Sequence, residues 1–177
     1  MRGLVSEFHS ELCRAMSMLA DAGAVFLGQA VSCDGTAVRT TLAHLPPERL
    51  IEMPVAENMQ AGMCTGIALA GGLPVCIFPR INFMLEAVSQ ICNHLDKLPL
   101  YSDYRPRVII RTAIATDNPL DPGPQHVGRY VEAFRLMLKT VYVETLDHAS
   151  AIVPAYEAAL KRNGSSLLIE ELAMYDQ

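Results

Sequence analysis

Residues 57–78 read ENMQAGMCTGIALAGGLPVCIF, and this stretch decides the architecture. Its first part, 57–70, is built from small residues and helix formers, with Gly62 and Gly66 four apart. That spacing predicts a helix that lets another backbone come close, from a sheet or a second subunit. Its last part, 74–78, is short and wholly apolar, as a buried strand is. Gly71 and Gly72 punctuate the two.

The same alternation extends both ways. Val5, Phe8, Leu12, Ala15, Met16 and Leu19 fall on one helical face, and Gly23 ends that helix. Strands are expected at 24–27, 49–52, 74–78, 107–113, 140–144 and 166–170. Helices are expected at 38–45, 57–70, 82–97, 127–139 and 148–162. Short strands separated by helices imply right-handed crossovers. The expected fold class is α/β, a doubly wound, mainly parallel six-stranded sheet with helices on both faces. Residues 1–177 form one domain, without repeat or linker.

Composition excludes several functions. The chain has 177 residues, 51% apolar, with 14 basic against 19 acidic side chains. A net charge of −5 without a basic stripe argues against nucleic acid. The most apolar stretch, 61–78, is broken by Gly62, Gly66, Gly71, Gly72 and Pro74, so no membrane span is expected. Early charges leave no room for a signal peptide, and the expected location is cytoplasmic. Five cysteines without a C-x-x-C pair make neither a disulfide framework nor a zinc site. The five histidines include no pair spaced i,i+4, so no protein-only metal site is expected. G-x-G-x-x-G, the P-loop and G-x-S-x-G are all missing.

In a doubly wound sheet, ligands sit beyond the carboxyl ends of the strands. Candidate residues are therefore Gln29, after the first strand; Glu57, after the second; Asn82 and Phe83, after the third; and His126, at the end of the loop 116–124. Glu57 is either a working carboxyl or a helix-start carboxylate favoured by the dipole. Phe83 either offers its ring to a flat ligand or is a core aromatic. His126 is an acid, a base or an oxyanion donor, or else a solvated loop histidine.

Taken in order, Gly28-Gln29-Ala30-Val31, residues 49–58 (RLIEMPVAEN), residues 62–75 with their paired glycines, and residues 82–93 (NFMLEAVSQICN) resemble a known family. They are similar to the pyrimidine-binding domain of transketolase-superfamily thiamin-diphosphate enzymes. The nearest branch is the beta subunit of the 2-oxo acid dehydrogenase decarboxylase component, and Pro124-Gln125-His126 fits that branch. The resemblance implies the thiamin-diphosphate-binding fold. It implies that Glu57 engages the aminopyrimidine ring nitrogen of the cofactor, that Phe83 packs on that ring beside Asn82, with Gln29 also cofactor-binding, and that His126 faces substrate.

Departures from the family shape a further expectation. The chain has no Gly-Asp-Gly…Asn signature of a diphosphate-binding domain, and it stops before the C-terminal domain usual in such beta subunits. Ser89 stands where many relatives carry Asp. The resemblance thus implies half a site. A separate subunit would carry the diphosphate-binding domain and most of the Mg²⁺ ligands. The assembly would be a heterotetramer of two subunits each, or a homodimer of the chain alone. The substrate would be a 2-oxo acid or a ketose. The alternative is a non-catalytic regulatory subunit that kept the fold.

Overall fold

The structure, a computed structural model, describes residues 6–115 and 122–175. It contains strands β1 (Val25–Gly28), β2 (Leu50–Glu52), β3 (Pro74–Phe78), β4 (Ile109–Ile114), β5 (Tyr142–Leu146) and β6 (Ser166–Glu171). Its α-helices are α1 (Glu7–Asp21), α2 (Ala37–Thr40), α3 (Glu57–Leu69), α4 (Leu98–Tyr101), α5 (Val131–Met137) and α6 (Ala149–Lys161). The strands form one sheet in the order β2-β1-β3-β4-β6-β5. Every neighbouring pair is parallel. The expected six-stranded α/β architecture is the one observed.

A parallel sheet covered on both faces needs strands that are apolar throughout. β3 and β4 are buried at every residue. Alternation along the strands feeds two cores. On one face Phe26, Val75 and Ile77 meet Leu12, Met16 and Leu19 of α1 and Ile152 of α6. On the other, Leu27, Cys76 and Phe78 meet Ala61 and Cys64 of α3, together with Ile81, Met84, Ile91 and Phe134. Each large side chain so buried stabilises the fold by about 1.5–3 kcal/mol. At the start of α1 the Ser6 side chain accepts a hydrogen bond from the His9 amide. The helix is closed by Gly23, whose φ is +90°. Val5 of the expected helical face, and residues 116–121 of the expected loop, lie outside the described residues.

Three helices differ from their expected form. The expected helix 82–97 is a 3₁₀ segment, Ile81–Ala87, followed by a π segment, Ser89–Leu95, and then α4. Buried apolar positions explain the change. Ile81, Met84 and Ala87 recur every third residue, the 3₁₀ repeat. From Ala87 the repeat widens to four residues, through Ile91 to Leu95, with Cys92 buried beside Ile91. The two averaged together imitate an α-helix. The expected helix 127–139 shortens to α5, because 127–130 run as irregular chain toward the site. The expected helix 38–45 reduces to the single turn α2 followed by turns.

One polar cluster crosses the first core. Arg111 of β4 is fully buried and donates to both carboxylate oxygens of Glu170 on β6, at 2.7 and 3.0 Å. Its remaining nitrogen donates to Thr41 Oγ1 at 2.8 Å, and Nη2 also to the Tyr175 hydroxyl at 3.1 Å. Tyr156 of α6 donates to Glu170 Oε1 at 2.7 Å, and the Tyr175 hydroxyl donates to Oε2. Burial opposes the Arg111 charge, but Glu170 outweighs it and holds the guanidinium protonated. Burial and then the Glu170 charge push both tyrosines well above their usual range. The cluster fixes the turns around Thr41 and Tyr175 to the sheet.

Strand order reverses at β1, with β2 on one side and β3 on the other. That reversal opens a crevice at the carboxyl ends of β1 and β3.

Candidate functional site

Gly28 brings β1 to its end in close contact with β3. A Cβ placed there would lie 2.3 Å from the Ile77 carbonyl oxygen, so only glycine fits. The chain then turns through Ala30, at φ +53°. Glu52, at the end of β2, secures that turn by accepting from the Ser32 amide at 2.8 Å and the Ser32 hydroxyl at 2.9 Å. Desolvation works against the Glu52 charge, yet Ser32 and the neighbouring amides hold its carboxyl below the ordinary glutamate range. Gln29 is thereby presented from a braced loop.

Glu57 opens α3, where the helix dipole favours a negative charge. It is buried. Gln29 Nε2 donates to Glu57 Oε1 at 2.9 Å, while Oε2 has no hydrogen bond among the described residues. One turn on, Gln60 Nε2 donates to the Ile77 carbonyl at 2.9 Å, pinning α3 to β3.

The 3₁₀ segment after β3 carries Asn82 and Phe83. Asn82 is buried, and its Nδ2 donates to His126 Nδ1 at 3.2 Å. The ring of Phe83 meets that of His126 edge to face, 5.6 Å between centroids and 65° between planes. Asn82 Oδ1 is buried without a hydrogen-bond partner among the described residues. Phe83 and Gln29 line one cavity of about 330 Å³, together with Arg80, Thr36, Val38 and Leu172.

All five residues singled out from the sequence therefore lie in two linked groups at one end of the sheet: Gln29 with Glu57, and Asn82 and Phe83 with His126. The cavity between Gln29 and Phe83 joins the groups. The braces provided by Glu52 and Gln60 were not singled out. Gln60 carries a sequence signal, standing one turn after Glu57 on the same helix face. Among the described residues no cluster of three or more His, Cys, Asp or Glu could hold a metal ion. No helix among them is long and apolar enough to cross a membrane. Cys64, Cys76 and Cys92 are buried and free; Cys33 is exposed.

Comparison with known proteins gives the class. No family model matches the chain. In sequence it is 38% identical over 50 residues to the human mitochondrial pyruvate dehydrogenase E1 component subunit beta, covering 28% of this chain and 14% of that protein. It is 36% identical over 74 residues to the Chaetomium thermophilum protein of that name, covering 40% and 19%. With the subunit from Gracilaria tenuistipitata it shares 26% identity over 132 residues, 72% of this chain and 39% of that one. In structure it is similar to a chain described as a split gene transketolase, inactive beta4 tetramer, with a TM-score of 0.69 and 20% identity. That likeness covers 94% of this chain and 50% of the other. The chain thus shares its fold with the split gene transketolase chain, and the sequence relatives it matches are named pyruvate dehydrogenase E1 beta subunits. The matched stretches span less than half of those beta subunits.

Proposed function

We propose that this chain supplies the aminopyrimidine-binding half of a thiamin-diphosphate enzyme whose diphosphate-binding half is a separate polypeptide. The observation that carries the reading is the buried Glu57, held by Gln29 at the mouth of the sheet, across one cavity from Phe83 and its His126 partner.

The donor set suits that cofactor. Among the described residues Glu57 Oε2 has no partner and Asn82 Oδ1 is a buried acceptor without a donor, and Phe83 is only half-buried. Thiamin diphosphate held by Glu57, Asn82 and Phe83 would supply a nucleophilic carbon and an electron sink for carbon–carbon cleavage. The protein's part is positioning and proton control. Glu57 shares a proton at Oε2 with a ring nitrogen, Gln29 fixes the carboxyl plane, and Phe83 offers a flat face. With Nδ1 engaged by Asn82, His126 has Nε2 left for a substrate. Mg²⁺ and the diphosphate fall to the partner subunit.

The reaction on this reading is decarboxylation of a 2-oxo acid or transfer of a two-carbon or acyl unit from a ketose. The assembly is two of each subunit, in the cytoplasm, with the chain alone forming a homodimer. The test is co-expression with neighbouring reading frames, followed by calorimetric titration of thiamin diphosphate with Mg²⁺. Binding by the pair and not by the lone chain is the expected result. A stable pair that binds no cofactor would instead make this a non-catalytic subunit that kept the fold.

A further inference from the structure

Arg80 lines the cavity beside Phe83 and Gln29, and it is half-buried there. Every other described arginine has an ion pair or a side-chain hydrogen bond, although Arg39 keeps Nε and Nη1 buried without a hydrogen-bond partner. Arg14, Arg39, Arg111, Arg129 and Arg135 pair with carboxylates. Arg49, Arg105 and Arg107 donate to backbone carbonyls, and Arg162 donates to Ser166 Oγ. The Arg80 side chain alone has neither a hydrogen bond nor an ion pair among the described residues. Among those residues no carboxylate lines the cavity, so the positive charge of Arg80 is uncompensated there.

The rest of the wall is arranged around that charge. Thr36 contributes a hydroxyl whose oxygen accepts from the Arg39 amide, leaving its proton free to point elsewhere. Gln29 uses one amide proton on Glu57 and retains the other. Ala37, Val38, Phe83 and Leu172 are apolar. A volume of about 330 Å³ suits a small metabolite. A guanidinium offers paired donors that match the two oxygens of a carboxylate or phosphate.

We infer that Arg80 and this cavity form the oxyanion subsite that selects the substrate of the proposed reaction, a small molecule whose carboxylate or phosphate is held by Arg80 with its carbon chain against Phe83 and Leu172. The inference rests on the thiamin-diphosphate reading for what the substrate undergoes, but the anion site itself is built from this chain alone.

The test is a chemical-shift titration of the ¹⁵N-labelled chain at constant ionic strength, with inorganic phosphate and with pyruvate, followed at the amides of Gln29, Ala37 and Phe83. Saturable binding is expected for at least one anion. R80Q should weaken it about ten-fold, and R80K should restore part of it. Calorimetric titration of the assembled pair, wild type and R80Q, with thiamin diphosphate and with unphosphorylated thiamin separates the sources of the anion. If Arg80 serves the substrate, R80Q leaves the ratio of those two affinities unchanged. If R80Q abolishes a preference for the diphosphate, Arg80 belongs to the cofactor and the inference is overturned. Equal anion binding by wild type and R80Q, or none by wild type, also overturns it. Failure of the assembled pair to bind thiamin diphosphate would sink the functional reading while leaving these shifts as the separate measure of the anion site.

Discussion

Gln29 Nε2 donates to Glu57 Oε1 at 2.9 Å, across the gap between the end of β1 and the first turn of α3. The bond fixes which carboxylate oxygen remains for a ligand. On the proposed function, E57Q removes proton sharing while keeping shape, so turnover of the assembled enzyme should fall by about 10²–10⁴-fold. Q29A keeps the carboxyl but frees its orientation, and should cost about ten-fold. Melting temperatures of both variants should stay near that of wild type. Steady-state rates and thermal melts of the same preparations check the pair of outcomes. Full turnover in E57Q would remove Glu57 from the mechanism.

Much of this arrangement was legible in the sequence, for a physical reason. Each strand is a short apolar run between turn residues, and each candidate residue except His126, which ends a long loop, stands soon after one. The 81–95 segment was not legible, because a three-residue repeat followed by a wider one averages to the period of an α-helix. The Arg111–Glu170 pair was hidden differently. Its partners are 59 residues apart, and neither side chain interrupts the local pattern enough to reveal the other. The contact of Asn82 with His126, 44 residues apart, depends likewise on the register of the sheet.

Gly28 stands where β1 and β3 approach most closely, and a Cβ would lie 2.3 Å from backbone, not from a side chain that could swing aside. G28A must therefore push the strands apart, at about 1–3 kcal/mol. The displacement reaches Gln29 directly. Urea unfolding should report the loss, and turnover of the assembled enzyme should fall further than the stability change alone explains. A G28A variant of unchanged stability would contradict the close approach.

Arg111 and Glu170 are both fully buried, so removing one leaves the other as an uncompensated charge. R111A should destabilise the chain by about 3–5 kcal/mol, measured by denaturant unfolding. The double variant R111M/E170L should recover much of that, since no orphan charge remains. Thr41 loses its anchor in both variants and Tyr175 loses both partners in the double variant, so the turn bearing Leu172 should gain amide exchange there.

Asp96 gives the fold an acid-side dependence. Its carboxyl is fully buried, and Oδ1 accepts from the amides of Lys139, Thr140 and Val141 at 2.7, 2.7 and 3.0 Å, joining the π segment to the start of β5. Burial raises its pKa, but the Lys97 ammonium and these amides outweigh burial and hold it below the usual aspartate value. A carboxyl depressed in the folded state binds its proton more weakly there than in the unfolded chain. Its stabilisation is therefore complete above the unfolded pKa, about 3.9, and is lost as pH falls through the lower folded value. D96N keeps an acceptor but loses the charge, and should cost about 1–2 kcal/mol at pH 7. Below about pH 4 the wild-type protein should lose this advantage, and the two unfolding curves should converge. Parallel urea titrations at pH 7, 5 and 3 measure the gap directly; a gap that stays constant would show that Asp96 acts through shape and not through its charge.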